Sequence, residues 1–359
     1  MLMTPGPTAV PEPVRDAMSR ELINPDVDPA FDAIYADLVD RLSRVYGVDG
    51  EPAARDVAVL GGEGILGLEA AIASLVEPGT EVVCLSNGLY GDGFADFVES
   101  YGGEATLVSA DPDEPLPIDD LDAVLADRDR AFDIATMVHC ETPTGTLNDL
   151  DPVLDRLEVA DGETLTVVDA VSSLGGVSVP TGRVDVCLGA SQKCFSAPPG
   201  LATAAISDRA WAAMEARAPD SLYTNFLPWR DTSEGFPYTH LTTNVVALDE
   251  ALSLLLEEGL DEAYARHEAA AARCRERGAA LGLEPYPDPT RSSPTVTAFH
   301  VPGRASAIQR ALREDHDVTV ATGLSDLADD ILRIGHMGHN ARTERVDEAM
   351  DALAAVLDG

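Results

Sequence analysis

One residue type is almost missing from this 359-residue chain. Lysine occurs once, as Lys193, so 23 of the 24 basic residues are arginine. Positive charge is scarce altogether: 63 acidic residues leave a net charge of −39. A surface that acidic repels phosphate backbones and anionic lipid, which excludes nucleic acid and membrane surfaces as expected partners. Apolar runs long enough to span a bilayer, about 18 residues, are also lacking. Met1 to Pro13 holds prolines where a secretory signal would need a basic and then an apolar stretch, so a cytoplasmic location is expected. Five cysteines (Cys84, Cys140, Cys187, Cys194, Cys274) include no CxxC pair and read as reduced, buried thiols. The pair His336 and His339 has no carboxylate or thiol motif beside it, so no metal is expected.

What is present is a globular composition. Hydrophobic residues make up 45% of the chain, ample for a sizeable core despite the charge. At roughly 150 residues per domain the length suggests about two domains. The acidic, lysine-poor surface looks like adaptation to high salt, where screening relieves self-repulsion. Short β-branched strands alternate with amphipathic helices: strands at 56–60, 81–85, 105–109, 134–139, 164–169, 184–188 and 203–206, helices at 31–46, 65–75, 93–101, 118–126 and 150–157. That alternation predicts an α/β fold, a mostly parallel sheet covered by helices on both faces. Beyond residue 243 the pattern becomes two long helices, 245–256 and 263–281, then strands at 295–300, 318–321 and 331–334 and helices at 305–313 and 343–357. The expected division is a large domain over 15–244 and a smaller C-terminal α/β domain over 245–359, which the N-terminal arm 1–14 joins. A ligand is expected in the crevice at the carboxyl ends of the large-domain strands.

Three features carry chemistry. Lys193 follows a strand end among small residues; where lysine is otherwise avoided, a surviving one does what arginine cannot, losing its proton to attack a carbonyl. A surface lysine is the bland alternative. Asp169 ends the apolar strand Thr166-Val-Val-Asp169, one strand before Lys193, so both side chains can emerge at one sheet edge; a helix-capping acid is its bland alternative. A carboxylate opposite a lysine-bound aldehyde is the arrangement that keeps a pyridinium ring protonated and electron-withdrawing. Third, Gly61-Gly-Glu-Gly64-Ile65 lies between a strand and a helix, where free amides and close approach favour a phosphate. The same segment spells Gly62-x-Gly64-x-x-Gly67, a dinucleotide fingerprint, so an NAD-dependent dehydrogenase is the rival from another class. That fingerprint needs an acid at the end of the following strand, and Glu81-Val-Val-Cys-Leu85 carries its acid at the wrong end.

From end to end the chain resembles the class V pyridoxal-phosphate aminotransferases of fold type I, especially the alanine–glyoxylate and serine–pyruvate group. The resemblance rests on Thr4-Pro-Gly-Pro-Thr8, Gly62-x-Gly64, Asn87-Gly-Leu-Tyr-Gly91, His139-Cys-Glu-Thr-Pro-Thr-Gly-Thr-Leu-Asn148, Val168-Asp-Ala-Val-Ser-Ser-Leu-Gly175, Ser191-Gln-Lys193 with Ala197-Pro-Pro-Gly200, and Leu332-Arg-Ile-Gly335. It implies pyridoxal 5′-phosphate as cofactor, held by Lys193 as a Schiff base, with Lys193 later shuttling a proton. Asp169 would pair with the ring nitrogen, Tyr90 stack on one ring face, Val171 pack beneath the other, and Thr142 bond near the 3-oxygen. Gly64, Ile65 and Gln192 would hold the phosphate, and Tyr238 or Thr239 would reach the cofactor of the neighbouring subunit in a homodimer with shared sites. Arg333 would grip the substrate carboxylate in a pocket lined by Gly6; a structural salt bridge is its bland alternative. The implied reaction moves an amino group from alanine or serine to glyoxylate or pyruvate. Glu63 and Ile65 depart from the family's small polar residues there; Glu63 is expected to turn away from the phosphate, and Ile65 to offer only its amide. A cysteine desulfurase is the close alternative, disfavoured because Tyr90 occupies the stacking place and no cysteine sits on a mobile loop after the lysine. A silent scaffold is a third, against which intact Lys193, Asp169 and Arg333 speak.

Overall fold

A computed structural model of the chain describes residues 1–50, 55–160 and 162–358. Seven strands form the main sheet: β1 (Asp56–Gly61), β2 (Glu81–Ser86), β3 (Glu104–Ser109), β4 (Ile134–Val138), β7 (Leu165–Asp169), β8 (Val186–Ala190) and β9 (Leu201–Ile206). Between them a two-stranded ribbon, β5 (Cys140–Glu141) with β6 (Thr146–Leu147), follows β4 directly. The main sheet runs β1-β9-β8-β7-β4-β2-β3. Its pairings are parallel from β3 to β8, while β9 runs against both β8 and β1. The helices of this part are α1 (Glu12–Ala17), α2 (Pro29–Tyr46), α3 (Gly64–Leu75), α4 (Leu89–Ser100), α5 (Ile118–Ala126), α6 (Asp151–Ala160) and α7 (Asp208–Arg217).

Strands β4, β7, β8 and β9 are buried almost throughout, as helices on both faces demand, whereas edge strand β3 buries only Val108. Alternating residues divide them between two cores: Val59, Val83 and Val168 face one, Ala58, Val82 and Val167 the other. Helix α2 shows how local sequence sets an element. The Asp28 carboxylate accepts the Ala30 N–H, Pro29 supplies a preset first turn, and Gly47 ends the helix at a φ of 68°.

After helix α8 (Thr242–Glu258) and helix α9 (Leu260–Ala280) comes a second sheet in the order β10-β11-β13-β12. Its strands are β10 (Glu284–Pro285), β11 (Thr297–His300), β12 (Ala321–Thr322) and β13 (Ile331–Ile334), covered by α10 (Ala305–His316) and α11 (Thr343–Asp358). The buried face of α8, from Val245 to Leu255, belongs to the core of the main sheet, whereas Ala270 and Cys274 of α9 belong to that of the second. The N-terminal arm joins this second layer: Met3 is fully buried in its core, donates to Thr319 O at 2.7 Å and accepts from Gly335 N at 2.7 Å.

Element ends differ from the sequence reading in ways that matter for the site. The strand expected at 184–188 is β8, Val186–Ala190, because a 3₁₀ turn at Thr181–Arg183 delays pairing until Val186 meets Val167. The helix expected from residue 93 starts four residues earlier, at Leu89, because a distant carboxylate caps it.

Candidate active site

Asp169 is the last residue of β7 and Lys193 lies three residues beyond β8, so two adjacent parallel strands deliver both to one cavity of about 500 Å³. Gly64, Ile65, Tyr90, Thr142, Val171 and Gln192 border the same space. Asp169 is buried, its Oδ1 accepting the Val171 N–H at 2.8 Å. Burial pushes its pKa up to about 6, against the pull of that N–H and of the Lys193 charge. The Lys193 Nζ donates to the Pro5 carbonyl at 2.8 Å. Burial holds the lysine below its usual pKa, opposed by Asp169 and assisted by Arg333. That carbonyl arrives because the arm crosses the lysine at Gly6, whose φ of 104° and lack of a side chain both count: a Cβ there would lie 2.8 Å from Nζ.

A neighbouring cavity of about 480 Å³ shares Gly6, Tyr90, Thr142 and Lys193 and adds Arg333 from β13. Arg333 is buried; its Nε donates to Thr322 O at 2.6 Å and its Nη1 to Thr142 O at 3.2 Å. Among the described residues no carboxylate forms an ion pair with it, so the salt-bridge alternative fails. Burial lowers its pKa to about 10. A guanidinium held by carbonyls, with no carboxylate against it among the described residues, has the chemistry to receive an anion.

Glu141, which the sequence reading left without a role, is fully buried on β5. Its Oε1 accepts the Gly91 N–H at 2.8 Å and its Oε2 the Tyr90 N–H at 3.4 Å, capping α4 and fixing the backbone that carries Tyr90. A Cβ on Gly88 would strike this carboxyl at 2.7 Å. Burial lifts the Glu141 pKa to about 7, with Asp169 and Asp92 adding to the effect and the two N–H groups opposing it. An acid at the end of an apolar strand was the signal used for Asp169, and it would have found Glu141 too.

Glu63 corrects an expectation. It does not turn away: it borders the main cavity, and its Oε2 accepts from Gln192 Nε2 at 3.3 Å. The reason is local. Glu63 occupies the N-cap position of α3 without capping it, so its carboxylate is left to find Gln192, while the Gly64 and Ile65 amides have no helical acceptor. Tyr238 and Thr239 do not border the cavity of this chain. The Tyr238 hydroxyl accepts the Gly61 N–H at 3.2 Å with its ring against Tyr223 and Trp229, and Thr239 donates to Asp26 at 2.8 Å. His336 is buried and bonded to Thr297 and the Pro294 carbonyl.

A lysine amine and a buried carboxylate at adjacent strand ends, with a tyrosine beside them and an unpaired arginine next door, define a fold-type I enzyme of pyridoxal-phosphate type. Comparison with known proteins narrows this. The family description "Aminotransferase class-V" matches residues 53–346. The chain is 34% identical to the pyridoxamine–pyruvate transaminase of Mesorhizobium japonicum, over 99% of this chain and 91% of that protein. It is 30% identical to the alanine–glyoxylate aminotransferase of Oryctolagus cuniculus, over 99% and 92%. A solved alanine–glyoxylate aminotransferase from Nostoc sp. superposes with a TM-score of 0.91 at 30% identity, over 99% of this chain and 94% of that one. The chain belongs to the class-V aminotransferases, which are pyridoxal-phosphate enzymes, and it is an aminotransferase.

The cavity suits the pyridoxal ring: Asp169 can face the ring nitrogen, Lys193 the aldehyde, Val171 and Tyr90 the two faces. At the phosphate end the free amides of Gly64 and Ile65 suit an oxygen ligand, whereas Glu63 does not suit an anion. The desulfurase alternative is not favoured, since Cys194 and Cys274 are buried and burial pushes both thiols up to about 12, away from the reactive thiolate. Nor is the dinucleotide reading, because β2 ends in Ser86 without the ribose-binding acid. Among the described residues no helix is long and apolar enough to cross a membrane.

Proposed function

We propose that the chain moves the amino group of a small amino acid, alanine or serine, onto a 2-oxo acid, glyoxylate or pyruvate. The observation that carries this is the single buried arginine beside the lysine: one guanidinium grips one α-carboxylate, and among the described residues no second arginine borders either cavity to bind a dicarboxylate, Lys193 being committed to the aldehyde. The acceptors in the names of the relatives, pyruvate and glyoxylate, support the 2-oxo acid, and the alanine–glyoxylate aminotransferase supports the small donor.

Pyridoxal phosphate, when bound, supplies an electron sink for the pair left at the substrate Cα. With the cofactor bound, Lys193 would carry its aldehyde and, once substrate has displaced it, would take the Cα proton and later return one, burial favouring the neutral amine this requires. Asp169 would hold a proton on the ring nitrogen. Tyr90 and Val171 would lie on the two faces of the ring, Thr142 would orient its 3-oxygen, and Gly64, Ile65 and Gln192 would hold the 5′ arm. Arg333 holds the carboxylate, with Gly6 leaving room beside it. The Tyr238 hydroxyl reaches the Gly61 N–H just before α3, and Tyr238 or Thr239 is assigned to the cofactor of a partner subunit in a homodimer. We divide the chain into 15–244 and 245–359, with α8 bridging them and the arm 1–14 crossing the site. A charge of −39 carried with a single lysine suits a protein of a salt-rich cytoplasm.

The test is spectroscopic. The purified protein should absorb at about 400–430 nm as a lysine-bound pyridoxal, and a panel of donors should bleach that band, alanine and serine fastest. Lys193→Ala should lose the band and the transamination together. A folded protein that never develops the band would refute the assignment.

A further inference from the structure

The end of the main cavity where the ring's 5′ arm must lie has an unusual polarity. Glu63 borders it as a carboxylate accepting from Gln192 Nε2. The other half of the Gln192 amide, Oε1, is buried and has no hydrogen-bond partner, and Gln192 as a whole is only 5% exposed. Two acceptors therefore meet at this point, one charged and one unsatisfied. Among the described residues Lys193 is the only basic one that borders this cavity, and it is committed to the aldehyde end. A phosphate ester at neutral pH brings about −1.5 to −2 charges and offers acceptors almost exclusively. It can take the two amides at the start of α3, but it meets a carboxylate without a cation to separate them and leaves Gln192 Oε1 unsatisfied. An alcohol brings no charge and a proton of its own: its oxygen accepts from the Gly64 or Ile65 amide, and its proton goes to one of the two acceptors, Glu63 or Gln192 Oε1.

We propose that Glu63, with Gln192, is a specificity-determining residue that turns this ring site toward phosphate-free vitamers. Pyridoxal and pyridoxamine, with a free 5′-hydroxymethyl arm, are then ligands of the aminotransferase in their own right and compete with the phosphate ester. This rests on the ring being bound as proposed above and adds the choice made at its 5′ end.

The test separates the two. Calorimetric titration of the apoprotein with 4-deoxypyridoxine and with its 5′-phosphate, at matched ionic strength and pH 7.5, reads the 5′ end with no aldehyde involved. The phosphate-free compound should bind the wild type at least as tightly as its ester. Glu63→Gln and Glu63→Ser should each tighten the ester tenfold or more while changing the alcohol less than threefold. Parallel titrations with pyridoxal and its phosphate, followed at the lysine-bound aldehyde band, should show the same reversal. A wild type that prefers the ester by more than tenfold, or Glu63 variants that shift both ligands equally, would overturn the proposal. If the deoxy compounds behave as expected but no aldehyde band forms, the assignment of Lys193 fails while the choice at the 5′ end stands.

Discussion

Arg333→Gln tests the site most directly, because activity and stability are expected to move in opposite directions. The guanidinium sits 7% exposed, bonded to two carbonyls and to no carboxylate. Burial brings its pKa down to about 10, well below the ordinary arginine range, so the folded protein disfavours this charge by roughly 3 kcal/mol. Glutamine keeps a donor for Thr322 or Thr142 and removes the buried charge, so the unliganded variant should be at least as stable as the wild type in urea. Substrate binding should suffer instead. Loss of a charge-assisted contact costs about 1.5–3 kcal/mol, equivalent to roughly ten- to 150-fold in apparent KM for the amino acid and the 2-oxo acid alike. Steady-state kinetics with each substrate varied in turn, beside urea unfolding of the apoprotein, reads both effects. Unchanged KM values with stability reduced by more than about 1 kcal/mol would make Arg333 a brace between β12 and the β5–β6 ribbon, and the carboxylate receptor would have to be sought elsewhere.

Three further outcomes follow from the same geometry. Asp169→Asn should keep the aldehyde band, since Lys193 is intact, yet lose about a hundredfold or more in kcat, the scale of one preorganised electrostatic partner; an unimpaired rate would remove Asp169 from the ring nitrogen. Gly6→Ala should cost about 1–3 kcal/mol through its positive φ, with its methyl displacing Lys193, so the band should form more slowly and less completely in stopped-flow mixing. Glu141 binds its proton more tightly folded, at a pKa of about 7, than unfolded at about 4.5. Its contribution is therefore present in full below pH 4.5 and is lost as the pH rises to 7, up to about 3 kcal/mol. Glu141→Gln should flatten that part of the stability profile in denaturant titrations across pH 4.5–8, and superimposable profiles would refute it.

Much of this architecture is legible in the residue order because each element declares itself locally. Asp28, Pro29 and Gly47 mark the ends of α2, and short apolar strands between amphipathic helices announce a covered parallel sheet. The lone lysine points to the site by its rarity. What stayed hidden depends on contacts between distant segments. No local pattern says that Glu141 will cap a helix fifty residues before it, and so α4 was read as starting four residues late. Glu63 was misread for a related reason: an acid at a helix start ordinarily caps its own helix, and only the approach of Gln192 from beyond β8 shows where this one goes. The antiparallel course of β9 is equally invisible, since a buried strand looks apolar whichever way it runs.

The N-terminal arm carries an implication for motion. One short run of backbone is stitched to the second sheet through Met3, passes over the reactive nitrogen at Gly6 and accepts its hydrogen bond at the Pro5 carbonyl. Any tilt of the C-terminal layer is thereby relayed to the amine within a few residues, loosening or restoring its resting contact. Opening and closing of the cleft would thus be geared to whether that nitrogen is parked or released.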